Sequence, residues 1–175
     1  MISVTWAATR ATGLASLALL SLVTALGVLT AGGWVTSRWP RTITVGLHVR
    51  LTLLAVCMLA LHITTTVVDG FVPIGWVSAL VPFATTYRPW WVAFGAVGVD
   101  LLIAVVATSV LRHRVGPRIF RAVHSLAYGA WACACVHALG VATDTHAAQL
   151  VAGAGLAMVG AAAITRLSTP LRARG

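Results

Sequence analysis

The 175-residue sequence contains no lysine and no glutamate, and its only acidic residues are Asp69, Asp100 and Asp144. Charged residues make up 9% of the chain, whereas an ordinary soluble domain carries about a quarter. That scarcity excludes a water-soluble globular fold. With 59% hydrophobic residues and seven tryptophans, the chain is not a disordered or acidic tail either, because so apolar a polymer does not stay solvated. Cysteine is scarce as well. Cys57, Cys133 and Cys135 all fall in apolar runs, and the Cys-x-Cys pair points to different faces of a helix. Small packing residues are the reading that fits, rather than a disulfide or a zinc site.

What is abundant is lipid-compatible sequence. A membrane helix needs about 20 mainly apolar residues, and five runs qualify: one between Arg10 and Arg38, then about 44–68, 90–111, 121–141 and 147–165. The first is far longer than a signal-peptide core and is kept as a mature helix. Residues 71–84 are apolar but too few to span, and they contain Pro73, Gly75 and Pro82, so an interfacial or re-entrant loop is expected there. The expected fold is therefore an all-α, polytopic membrane bundle of five transmembrane helices forming one domain over residues 1–175. No internal repeat is evident.

The net charge of +9 comes entirely from arginine. A nucleic-acid surface would gather its basic residues on one water-facing side; here they separate the apolar runs, so no nucleic-acid partner is expected and the charge reads as topology. Arg38, Arg41 and Arg50 follow the first run, Arg112, Arg114, Arg118 and Arg121 the third, and Arg166, Arg172 and Arg174 the fifth. All lie on the cytoplasmic side, as the positive-inside rule requires, only if the N-terminus is outside and the C-terminus cytoplasmic. The expected setting is a bacterial cell membrane.

Ionisable side chains inside a membrane are costly and functional as a rule. The second run carries His48 and His62, the fourth His124 and His137. Spacings of fourteen and thirteen residues correspond to rises of about 21 and 20 Å, so each helix offers one imidazole near either end. Both helices run from inside to outside, which sets His48 level with His124 and His62 level with His137. Two facing imidazoles at each of two depths are what two bis-histidine haems need. The thirteen-residue spacing leaves its second histidine about 140° off the face of the first at 100° per residue, so a kink, a π-bulge or a different haem approach is expected in that helix.

The pattern His48-x13-His62 and His124-x12-His137 resembles the ferric reductase-like transmembrane domain, shared by ferric reductases, the cytochrome b of NADPH oxidase and the membrane haem subunit of bacterial periplasmic methionine sulfoxide reductase. The resemblance covers about residues 44–141. It implies two haem b groups, the inner held by His48 and His124 and the outer by His62 and His137. Members of the family usually have a further span, and many continue into a flavin and nicotinamide dehydrogenase domain. Without a Gly-rich dinucleotide fingerprint, this chain is expected to be an oxidoreductase subunit that takes electrons from a separate flavoprotein, ferredoxin-like carrier or quinol and passes them to an external acceptor. Two rival readings stand: a quinol-linked cytochrome b subunit of an extracytoplasmic reductase, and a non-redox membrane transporter or assembly protein.

Several further residues carry paired readings. Arg121, three residues before His124, suits an inner-haem propionate or a plain inside anchor. Arg50 points away from His48 and reads as an anchor or a contact with the first helix. Trp131, between the two histidines of its helix, either fills space or assists electron passage. Asp100, near the middle of the third run, is expected to face the bundle, protonated or paired, because a bare carboxylate at that depth costs about 2.5 kcal/mol or more. His113 and His146 lie in loops and read as neither ligands nor catalysts, and the tryptophans near span ends read as an interfacial belt.

Overall fold

The computed structural model describes residues 4–36 and 39–168, and all regular structure among them is helical. Six helices follow in order: α1 Val4–Ala31, α2 Arg41–Asp69, α3 Pro89–Val110, α4 Arg112–His124, α5 Leu126–Val141 and α6 Thr145–Ser168. α4 is broken at Gly116 (φ 72°, ψ 159°), and from Pro117 it runs on with α5 as one span; five helical stretches are long and apolar enough to cross a membrane, and the chain is a multi-pass membrane protein. Arg38, Arg172 and Arg174 lie outside the described residues.

Local chemistry sets the helix ends. α1 closes in a Schellman turn: Gly33 adopts φ 71°, its N–H donates to the Thr30 carbonyl, and the Trp34 N–H reaches back to Leu29 at 3.1 Å. α2 follows Pro40 and stops at Gly70, whose φ of 63° is left-handed. α3 has Pro89 at its first position, where a missing N–H costs nothing. At α6, the Asp144 carboxylate accepts from the Ala147 N–H at 3.2 Å and caps the helix.

α1 begins six residues before Arg10 and so takes in a charge expected to precede the helix. The guanidinium is accommodated because it lies 4.6 Å from the centre of the Trp6 ring and pairs with Asp144 at 3.1 Å. Residues 71–84 form a loop with one 3₁₀ turn, Trp76–Ala79, packed on α3. Thr85 donates to the Pro73 carbonyl and pins the loop's two ends together, while Phe71, Trp76, Val77 and Phe83 are exposed, as suits a segment at the membrane interface.

α1 is the hub. It packs along α2 and α6 and touches α5, and α5 packs along α3. Small residues let the backbones approach: Leu17 meets Cys135 and Ala152, and Ala25 and Val28 meet Ala162. Trp131 packs against the first of these clusters and donates its indole N–H to Ser21 Oγ at 2.9 Å. It therefore serves as a space-filling, hydrogen-bonded residue on the α1 and α6 side of α5.

α2 is the exception to close packing. Its one extensive neighbour is α1, and only Thr44 and Ala55 along it are buried. It stands off from α5, although the histidines of the two helices face each other.

Asp100 does not face the bundle. It is exposed on α3, on one face with Ile103 and Ala107, and has no ion pair or hydrogen bond with any described residue. Desolvation cost says that a buried-depth carboxylate is unusual, but not which way it points; at this depth the packed face of α3 is the one carrying Gly98 and Val105.

Candidate functional site

The four intramembrane histidines form two pairs. The rings of His48 and His124 have centres 6.2 Å apart with planes at 64°, and those of His62 and His137 are 6.4 Å apart at 78°. Each ring is half-buried. An imidazole nitrogen binds a first-row metal at about 2.0 Å, and the ring centre lies ~1.1 Å beyond it, so two imidazoles on opposite sides of one iron have centres about 6.3 Å apart. Both pairs match that separation, while no direct contact between the rings would require it.

Second, each ring is held by one nitrogen. Nδ1 of His48 lies 3.1 Å from the Val23 carbonyl, that of His62 3.0 Å from the Thr9 carbonyl, and that of His137 2.9 Å from the Trp91 carbonyl. A carbonyl only accepts, so Nδ1 in these three carries the proton and Nε2 presents a lone pair. His124 differs: its Nδ1 lies 3.4 Å from Ser109 Oγ, and that hydroxyl donates to the Val105 carbonyl at 2.6 Å. With its own proton committed, Ser109 can only accept from His124, so the same tautomer results.

The three direct bonds share one local device. In each, the carbonyl belongs to residue i and a glycine stands at i+4: Thr9 with Gly13, Val23 with Gly27, Trp91 with Gly95. In an α-helix the N–H of i+4 already bonds that carbonyl, so a histidine sharing the acceptor must lie over residue i+4. At Gly13 and Gly95 only a residue without Cβ leaves that room. A Cβ on Gly13 would sit 2.9 Å from His62 Cε1, one on Gly95 2.7 Å from His137 Nδ1, and one on Gly27 3.4 Å from His48 Cε1. On α1 the seats Gly13 and Gly27 are fourteen residues apart, and on α3 so are Gly95 and Ser109. The α1/α2 and α3/α5 hairpins are thus two copies of one arrangement, although no repeat is evident in the sequence; a small residue repeated after fourteen positions on the helix before each histidine helix, Gly13 and Gly27 on α1 but Gly95 and Ser109 on α3, was the signal.

Between His124 and His137 the helix tightens locally without leaving the right-handed helical region, Ser125 keeping φ −66° and ψ −19°. Directly after His124 the Ser125 N–H still bonds the Arg121 carbonyl at 3.1 Å, while the Tyr128 N–H reaches back only three residues to the Ser125 carbonyl. Such tightening turns the chain by about 120° per residue instead of 100°, which carries His137 toward the face of His124.

The space around His62 and His137 is a cavity lined by Gly13, Leu59, Gly95, Ala130 and Ala134, small or apolar groups from α1, α2, α3 and α5. The buried Thr9 hydroxyl, which also lines it, has no hydrogen-bond partner among the described residues. A flat apolar group held between two imidazoles would fit this donor set and this gap, with His62 and His137 as the residues that would hold it. At the other pair, the Phe120 ring stacks on His124 with centres 5.0 Å apart. Arg121 is exposed on the next position and turns its Nε back to the Pro117 carbonyl at 3.1 Å. His113 and His146 are exposed and away from both pairs.

The two ends of the bundle differ in charge. Arg41, Arg112, Arg114, Arg118, Arg121 and Arg166 lie at the end holding His48 and His124, with Arg50 about two and a half helical turns further along α2 than Arg41. At the opposite end Arg10 pairs with Asp144, Thr5 donates to Asp69, and Arg88 donates to the Gly140 carbonyl. The Asp144 carboxyl is held below its ordinary value by the Ala147 N–H and by Arg10, with burial opposing them.

No curated protein and no solved structure gave a match to this chain. The family model described as ferric reductase like transmembrane component matches residues 12–135, a range that takes in His48, His62 and His124 and ends just before His137. With most of the chain matched by that model, this protein belongs to the ferric reductase-like transmembrane family.

Proposed function

We propose that the chain is a transmembrane electron conduit holding two haem b groups, one between His48 and His124 and the other between His62 and His137. Membership of the family supports a membrane electron-transfer role. The observation that carries the finer reading is the separation of the two imidazole pairs, 6.2 and 6.4 Å between ring centres, together with a proton on every Nδ1 that leaves each Nε2 free to bind iron. Haem, when bound, supplies the one-electron chemistry.

The residues of the chain do the rest. The Nδ1 bonds fix ring orientation and ligand basicity. Glycines and alanines on α1, α3 and α5 make room for flat groups, and the apolar helices keep water away. Arg121, one turn before His124, is within reach of an acidic substituent on the inner group. The arginine-rich end, read as cytoplasmic with the N-terminus outside, attracts a separate donor of negative charge, a flavoprotein or ferredoxin-like protein, and electrons leave at the opposite end to an external acceptor in a cell membrane of bacterial type.

An absorption spectrum of the purified protein, reduced minus oxidised, tests this. About two b-type haems per chain are expected. Changing His62 or His137 to Ala should remove the same haem, and changing His48 or His124 the other. A colourless protein would reject the reading, and loss of one shared haem in His48→Ala and His62→Ala would reject the pairing.

A further inference from the structure

Three of the four histidine seats are alike and one is not. On α1 and at the start of α3, a glycine lies four residues after the accepting carbonyl, and the ring sits directly on that carbonyl at 2.9 to 3.1 Å. At the fourth seat the equivalent position is Ser109, fourteen residues after Gly95 and four after Val105. Its hydroxyl stands between ring and carbonyl, giving to Val105 at 2.6 Å and taking from His124 at the longer distance of 3.4 Å.

A backbone carbonyl that draws on the Nδ1 proton pushes electron density toward Nε2, and a strongly basic axial nitrogen stabilises the more positive, ferric state of the iron. A hydroxyl is a poorer acceptor than a carbonyl, and a long bond to it is weaker still.

Resting on the functional reading above, we propose that Ser109 is a positioning residue that sets the His48/His124 haem apart from the other. By replacing a glycine seat with a hydroxyl relay, it weakens the donor strength of His124 and raises the reduction potential of that haem above the value that two carbonyl-bound histidines would give. The His62/His137 haem, with both ligands on carbonyls, serves as an internal reference in the same molecule.

Redox titration of the haem-loaded protein, followed in the α band, tests this with three substitutions. Ser109→Gly restores the common seat and lets His124 reach the Val105 carbonyl; the potential of the His48/His124 haem should fall. Ser109→Ala keeps the Cβ but removes the acceptor, so that potential should rise. Ser109→Thr keeps the hydroxyl and should titrate as the wild type. The His62/His137 haem should not move in any of them. Opposite shifts for Gly and Ala are the decisive sign, since mere loosening of the site would move both the same way. If Ser109→Ala loses the His48/His124 haem while Ser109→Thr retains it, the hydroxyl is supported as the group that holds the ring. Unchanged potentials, shifts of one sign, or loss of that haem in both Gly and Thr variants would overturn the proposal alone. A chain carrying no haem at all would overturn the functional reading and this proposal with it.

Discussion

Gly95 and His137 share a space that one methyl group would close: a Cβ on Gly95 would lie 2.7 Å from Nδ1 of the histidine and 3.1 Å from its Cγ. The ring cannot withdraw without giving up its bond to the Trp91 carbonyl at 2.9 Å. Overpacking of this kind costs about 1–3 kcal/mol, and the lost hydrogen bond about 1 kcal/mol more.

Gly95→Ala should therefore reduce the haem-to-protein ratio by loss of the His62/His137 haem, as should Gly13→Ala, whose Cβ would lie 2.9 Å from His62 Cε1. Gly27→Ala is expected to be mild, because 3.4 Å to His48 Cε1 is ordinary contact. Haem quantitation of the three purified variants checks the order. Equal loss in all three would remove the steric explanation.

The arginines beside the His48/His124 pair lead to a kinetic expectation. Arg112 and Arg114 are exposed at that end, so replacing both by Gln should slow reduction by an acidic donor protein and flatten its dependence on salt, since exposed charges are screened beyond about 10 Å at 0.1 M ionic strength. Stopped-flow reduction at several salt concentrations measures it. Rapid reduction by a quinol, indifferent to salt, would favour the quinol-linked reading instead.

Topology follows from the same asymmetry. A reporter placed after Ser168 should be cytoplasmic and one inserted at Thr143 external. Reporter activity on the wrong side in either fusion would reverse the direction proposed for electron flow.

Asp144 gives a pH-dependent expectation. Its folded-state pKa is depressed by the Ala147 N–H and by Arg10, so its contribution is present above the unfolded-state value and disappears as pH falls through the lower, folded one. Asp144→Asn should thus unfold at a lower temperature than the wild type near neutral pH, with the difference vanishing in strong acid. A gap that persists in acid would mean that Asp144 contributes through something other than its ionised carboxylate.

The five spans, the two depths of the histidines and the phase mismatch between His124 and His137 were legible in the sequence, because hydropathy, helical rise and helical phase are properties of one helix at a time. Orientation about a helix axis was not. Asp100 shows this: its depth was readable, but its direction depends on which helices pack on α3, and it points outward with Ile103. The glycine seats were visible as letters and silent as a motif, since Gly13 matters only through His62, 49 positions away on another helix. Arg10 was placed before its helix because sequence rules put charge at span ends; Trp6 and Asp144 meet that charge inside the first turns of α1.

The isolation of α2, which leans on α1 and stands off from α5, bears on how such a protein is made. Each hairpin can insert as a unit with its backbone bonds satisfied, which is the first stage of membrane assembly. Joining α2 to α5 is a separate event, and the proposed haems are what would bridge them at two depths. Loading would then be the closing act of biogenesis: a cell short of haem would accumulate chains with α2 ajar, open to membrane proteases, and the level of mature protein would follow the supply of its cofactor.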